Sequence, residues 1–551
     1  MMKKIYFAAA AALLSVSAFA QNLNPEVEVT NDYEARIAEM RKEVLPMLVP
    51  DSLLKFSTKV DYSVFETRYR GAYDFIPYEI SVTPEARAWD GKRLYARVGA
   101  GYPFHPLAKI YYSPRIEGNL RNVNRLGFQG YGGSYHSVFG GAGYQGYDYQ
   151  GYDYNPSAGV DILWNGARSA VAFGLGYNGI LTSDYAVNSA FHDFSVDGSV
   201  HSVGEQVKVP YSFRIGAAYA LDNAEGVTPA SLGEMSYVVD GTIAPRLALG
   251  SAAIVFDVHS QGSFYSQWFG PLLVNSITPK ARLTVLDGLK LDLGVKLSYG
   301  DSFGVFPDVQ AVVMSGGSAP DVYASFTGGH FARDYSALKT ANHWVNASYF
   351  PVTPEASINR MRVSTEKINA RIGIRGSAGG RLQYDLSGGW ASMADAVMDA
   401  FAPAMQPFAY GNVPSMCLGY ADYNMAYAAL RLSWASDRFN LDGDVLYRHT
   451  SLEAGDTILG IPAVAGELTA VYNWNHRLFA GLRAKGQTGR PSTLWTDPGY
   501  LDLGLFAEYE FARGVSFWVQ GGNLLNMDIP LSPTHVPAGI NITGGICLEL
   551  Q

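Results

Sequence analysis

The sequence predicts an all-β chain folded as one large transmembrane antiparallel β-barrel, with a short helical segment ahead of it. Three observations carry this prediction. The chain opens on an export leader, apolar and polar residues alternate with period two along nearly its whole length, and no long apolar stretch follows the leader. Aromatic residues are abundant (36 Tyr, 27 Phe, 9 Trp), charged residues reach only 17%, and mean hydropathy is close to zero. An α-helical membrane protein would show long apolar runs, whereas alternating strands cancel in the average.

The leader comes first. Lys3 and Lys4 precede an apolar stretch from Ile5 to Val16, and Ala18-Phe19-Ala20 offers a small-x-small cleavage site that leaves Gln21 as the new N-terminus. The apolar run falls short of the ~20 residues that a spanning helix needs. A buried N-terminal helix is the alternative. Cleavage removes two lysines and no acid, taking the net charge from −9 to −11. That balance argues against nucleic acid as a partner, which would want a basic face.

Residues 21–55 differ from the rest. Glu26–Thr30 is extended in pattern, and Tyr33–Leu45 holds good helix formers with Glu39 and Glu43 near Arg36 and Arg41. Pro46 ends that stretch. So short a helix is marginal alone and is expected either to dock on or inside the barrel or to remain a loose periplasmic tail.

From residue 56 to 551 the chain reads as barrel wall. Leu289 to Tyr299 places an apolar residue at every odd position and Lys290, Asp292 and Lys296 among the even ones. In a strand these two sets face opposite ways. The same holds for Ile368–Ile374 against Arg371 and Arg375, for Phe439–Tyr447 against Asp442 and Asp444, and for Leu478–Ala484 with Arg483 and Lys485. These nine charged residues are the expected lumen-lining set. Gly376–Gly380 and Asn475-His476 read as hairpin turns, and Trp164, Tyr177, Tyr299, Trp390 and Trp474 close strands where interfacial girdles belong. Counting from Pro77 to Leu550 gives ~20–24 strands of transmembrane length. A soluble sandwich or propeller also alternates, but the export leader and the unbroken length disfavour it.

Gly130–Tyr154 is rich in Tyr and Gly. Tyr144, Tyr147, Tyr149, Tyr152 and Tyr154 make a candidate loop for a partner or ligand, set against the plainer reading of girdle and loop without a ligand. Asp301–Asn342 and Ala391–Tyr420 are long enough for extracellular loops, the second bearing Met393, Met398, Met405 and Met416.

Motifs for chemistry are missing. The ten His show no metal-ligand spacing, and His192 and His201 would face opposite sides of one strand. Cys417 and Cys547 allow one disulfide but no framework. There is no phosphate loop. No catalytic residue, metal or cofactor is expected, and the chain does not read as an enzyme.

Gly521-Gly522-Asn523-Leu524-Leu525-Asn526, a Pro-rich turn and an alternating strand from Gly539 to Leu550 resemble the closing strands of TonB-dependent receptors. The resemblance extends loosely over residues 55–551 and implies a barrel of about 22 strands. Two departures stand out. Only a short segment precedes the first candidate strand, where the family carries a folded plug, and the chain ends on Leu548-Glu549-Leu550-Gln551 rather than on an aromatic residue. Glu26–Thr30 looks like a TonB box, which implies TonB as a partner. The resemblance thus points to a plugless relative in the cell outer membrane. Two functions follow: a conduit for small solutes or nutrients, or a structural subunit that holds lipoproteins or other outer-membrane subunits.

Overall fold

The computed structural model describes residues 93–550, except 117, 137–147, 184–186, 205–206, 227–229, 246–251, 267–269, 287, 315–318, 346–360, 403–414, 453–460, 491–498, 532–534 and 538. The leader, the helix expected at Tyr33–Leu45, Glu26–Thr30, Tyr144 and Tyr147 lie outside the described residues.

Strands β1 (Leu94–Tyr102), β2 (Leu107–Tyr112), β3 (Leu120–His136), β4 (Asp148–Asn165), β5 (Ser169–Ser183), β6 (Val187–Ser202), β7 (Tyr211–Gly226) and β8 (Ala230–Ile243) open the chain. They are followed by β9 (Ala252–Tyr265), β10 (Leu272–Leu286), β11 (Leu289–Tyr299), β12 (Phe303–Val313), β13 (Asp321–Phe331), helix α1 (Tyr335–Ala341), β14 (Ser364–Ala378) and β15 (Leu382–Ala402). Then come β16 (Ser415–Ala435), β17 (Phe439–Leu452), β18 (Val464–Trp474), β19 (Leu478–Thr488), β20 (Gly499–Ala512), β21 (Val515–Gly522), the two-residue β22 (Val536–Pro537) and β23 (Asn541–Leu550).

From β1 to β21 each strand pairs antiparallel with the next, β23 joins β21 to β1, and the two-residue β22 stands outside the ring on β3. The result is a closed antiparallel barrel of 22 strands whose wall begins at Leu94. Closure is what a lipid environment demands, since every backbone donor and acceptor must find a partner and an open sheet leaves an edge.

The alternation read from sequence sets the two faces. Outward residues are apolar and exposed, as Val171, Phe173 and Leu175 are on β5, Phe213, Ile215 and Tyr219 on β7, and Leu293, Val295 and Leu297 on β11. Rings gather in two belts on this face. Tyr177, Phe194 and Tyr219 stand side by side in register on β5, β6 and β7, while Trp164, Phe213, Trp474, Phe511 and Phe517 lie toward the other end. Such belts belong at the two interfaces of a bilayer.

Connections differ at the two ends. Beside the Tyr177 belt they are long, including 332–363, 403–414, 453–463 and 523–540, whereas at the opposite end most are tight turns. Asn475 (φ 51°) and His476 (φ 57°) form one such turn, where a right-twisted hairpin needs two left-handed residues. Gly379 (φ 60°) and Gly380 (φ 65°) form another.

Two expected loops are corrected. Asp301–Asn342 contains β12, β13 and α1, and most of Ala391–Tyr420 belongs to β15 and β16, which reach well past the belt. A bulge between Met393 and Ala396 explains the second miss: it breaks the alternation, so that both of these residues are buried. Cys547 carries a free, buried thiol, so no disulfide joins it to Cys417.

Candidate functional site

The connection after β13 does not stay outside the ring. Its first part, the arm Ala332–Val345, turns into the long-loop end and follows the inner wall. Asp334 starts α1 by accepting from the backbone N–H of Ala337 (2.9 Å), and Asn342 stops it by donating its own N–H to Leu338 O (2.9 Å). Seven residues would not hold a helix alone, so docking supplies what propensity does not.

One face of α1 is apolar. Tyr335, Leu338 and, beyond the helix, Val345 share a buried cluster with Ile180, Phe191, Ala220, Leu232 and Val274 of the wall. The other contacts are polar, and they centre on buried carboxylates. Asp222 accepts from Ser189 Oγ (2.7 Å) and from the Tyr335 hydroxyl. Lys339, wholly buried, donates to Ser189 Oγ (2.9 Å) and to Val345 O (2.6 Å), with its Nζ 3.9 Å from Asp222. Glu234 accepts from the Ser336 N–H (3.1 Å), and Ser263 donates to Asp334 (3.2 Å). A buried ammonium is tolerated only with partners of this kind.

At its far end the arm reaches β3 and β4, ten strands back from β13 in a ring of 22. His343 donates from Nδ1 to Asp153 (2.8 Å). Trp344, 3% exposed, stacks on His535 (3.8 Å, 16°) and meets Tyr135 edge-on (5.3 Å, 78°). Tyr135 in turn stacks on Tyr149 (5.5 Å, 13°) and meets Tyr131 (5.0 Å). His105 lies edge-on to Tyr131 (4.7 Å) with its Nδ1–H on Pro103 O (2.9 Å), and burial holds its imidazole below the usual histidine range.

His535 is brought there by the last long connection. Val536 and Pro537 pair with His136 and Tyr135 on the part of β3 that rises above the short β2. Asn523, from the Gly-Gly-Asn-Leu-Leu-Asn piece, anchors this connection. Its Nδ2 donates to Met527 O (2.8 Å) and Gly539 O (3.2 Å), its Oδ1 accepts from Met527 N–H (2.8 Å), and its own N–H reaches Asp502 (2.8 Å).

The nine charged residues singled out from sequence occupy the face opposite the exposed apolar set, distributed round the wall rather than gathered at one spot. Asp292 holds Arg282 through two oxygens (3.1 and 3.0 Å), while Lys290 and Lys296 share its face of β11. Arg371 donates to Tyr323 Oη and Ser387 Oγ (both 3.0 Å), and Arg375 lies 3.9 Å from Asp321. Arg483 pairs with Glu467 (2.7 Å), which also stands in register with Lys485 and Asp444, and Asp442 accepts from Ser433 (2.6 Å). Lys280, between Asp257 and Asp308 (2.9 Å each), and Arg97, on Glu508 (2.8 Å), are further crossed pairs.

Three of the five tyrosines of the candidate loop lie on a strand instead. Tyr149, Tyr152 and Tyr154 belong to β4, and strand alternation splits them. Tyr149 is buried in the aromatic cluster, whereas Tyr152 and Tyr154 stack on each other (5.0 Å) on the opposite, outward face. Asp222, Glu234, Lys339, Trp344 and His535 escaped sequence reasoning, because nothing local marks residues that meet only across the ring. Among the described residues no group of three or more His, Cys, Asp or Glu side chains is placed to hold a metal ion.

No known family matches the sequence, and no curated protein is similar to it. Solved structures share the fold. A mutant of the ferric enterobactin receptor PfeA from Pseudomonas aeruginosa has a TM-score of 0.61 at 9% identity, over 84% of this chain and 81% of that one. The copper transporter OprC gives 0.61 at 13%, over 84% and 80%. The ferric-catecholate import receptor Fiu from E. coli K12 gives 0.61 at 8%, over 83% and 82%. The chain therefore shares its barrel fold with these proteins.

Proposed function

We propose that this protein is a gated conduit of the outer membrane, admitting small solutes or nutrients from its long-loop end. The observation that carries the reading is an arm folded into the mouth of a closed ring whose inner face is polar. Lys290, Asp292, Lys296, Arg371, Arg375, Asp442, Asp444, Arg483 and Lys485 line the path in this reading. Charges crossed in pairs keep the wall wet without a strong field of one sign. The apolar outer face meets lipid, and the long connections face the outside of the cell, as in barrels of this kind.

Residues 1–20 serve as the export leader, and Glu26–Thr30 is the proposed contact for TonB. The solved relatives are transporters and receptors for ferric siderophores and copper, and an uptake role here rests on that likeness of fold. No catalytic role is proposed.

Single-channel recording of the purified protein in planar bilayers tests the conduit. Small discrete steps are expected from the natural chain, and steps several-fold larger from Trp344→Ala, which frees the end of the arm. Silent membranes with both proteins would overturn the reading and favour a sealed structural subunit that binds lipoproteins or other outer-membrane proteins.

A further inference from the structure

The aromatic cluster at the top of β3 and β4 is assembled from three separate parts of the chain. Tyr135 and Tyr149 come from the wall, His535 from the last long connection, and Trp344 from the arm. The first three form a cage, and the indole is its occupant. Two features set this apart from ordinary core packing. The occupant sits on a short segment beyond a seven-residue helix, not on the wall. The cage is also polar where it is darkest: the Tyr135 hydroxyl is buried, on a residue 1% exposed, and has no hydrogen-bond partner. The Trp344 indole, as it is seated, makes no hydrogen bond with that oxygen, and leaving a buried hydroxyl unsatisfied is unfavourable.

We infer that the cage is a binding site for a planar aromatic group of about indole size with a polar edge, and that Trp344 is its displaceable internal occupant. Rings recognise rings through stacked and edge-on contacts, both of which the cage already makes with Trp344. A ligand with a donor or acceptor on its rim would satisfy Tyr135 as well, which the indole does not. Its arrival would expel Trp344 and release the end of the arm, so that binding at the mouth and opening of the path become one event. A ligand can shift such an equilibrium only by its preference for the released state, and the unsatisfied hydroxyl supplies a preference. The inference deepens the conduit reading but is tested without measuring permeation.

Limited trypsin digestion of the full-length protein in detergent, read by mass spectrometry as cleavage after Arg333 and Lys339, reports release of the arm. Slow cleavage is expected in the natural chain. Millimolar 5-hydroxyindole, whose rim hydroxyl can bond Tyr135, should raise it about tenfold or more, and saturably, while N-acetyl-leucinamide should leave it unchanged. Trp344→Ala should be cut fast without any probe. Tyr149→Ala, checked by heat-modifiable gel mobility for an intact barrel, should lose the response to the probe. Cleavage indifferent to the aromatic probe, matched by the leucine probe, or no faster in Trp344→Ala would overturn the site. Probe-dependent cleavage in a barrel that passes no current would sink the conduit and leave the site standing.

Discussion

Asn523 combines a left-handed backbone (φ 49°) with a side chain that is almost wholly buried. Asparagine tolerates that backbone region because its short amide bonds locally. Here the amide ties the chain at Met527 to the chain at Gly539, which closes the base of the connection carrying His535. Asn523→Ala loses the three side-chain bonds and keeps the strained backbone, so a loss of about 4–5 kcal/mol is expected, from ~1 kcal/mol per bond and ~1–2 kcal/mol for the conformation. Urea midpoints in lipid vesicles would show it, and Asn523→Gly should fall between the two by relieving the backbone alone. The motif was legible in the sequence as a family resemblance, but its structural work was not, because its partners lie in the turn and in neighbouring strands. The aromatic cage was legible only in part. The Tyr-rich stretch drew notice, yet alternation sends Tyr149 to the cage and Tyr152 away from it, and residues 344 and 535 lie hundreds of positions from 149.

At the scale of an element, α1 is held by its surroundings rather than by its own sequence. Lys339 is the buried cation between Asp222, Ser189 and Val345. Lys339→Met removes one partner from a buried set and should cost about 3–5 kcal/mol, taken from the docking of the arm because the wall pairs independently of it. Trypsin cleavage after Arg333 should rise sharply, while heat-modifiable mobility of the barrel stays as it was. Strands were far easier to read than this arm. Period two is local and survives wherever one face meets lipid, but β15 and β16 run past the belt, where both faces can be covered by protein. Met393, Tyr423 and Met425 are buried on the inside there, and the sequence contrast that marks a strand fades.

For the whole molecule, alternation makes an asymmetric prediction about charge. Ile215 faces outward on β7 between the belts marked by Phe213 and Tyr219, and Ile215→Arg should cost about 2–4 kcal/mol in a bilayer. Asp442→Asn on the inner face should cost far less, and urea titrations of both variants in the same vesicles compare them directly. Strand number and closure were nearly readable in advance, since lipid contact imposes the same alternation on every strand of the wall. The seam itself is tight. Gly545 sits opposite Gly99, where an added Cβ would lie 1.9 Å from Val98 O, and Arg97 lies over the Trp518 ring (4.3 Å) as it reaches Glu508. That seam sets an order of assembly. Until residues 541–550 are delivered, β1 and β21 each present a raw row of amides, ready to pair with any neighbouring chain. The polypeptide must therefore be escorted, unfolded or partly curled, to the point of insertion, and its stitching completed there by β23.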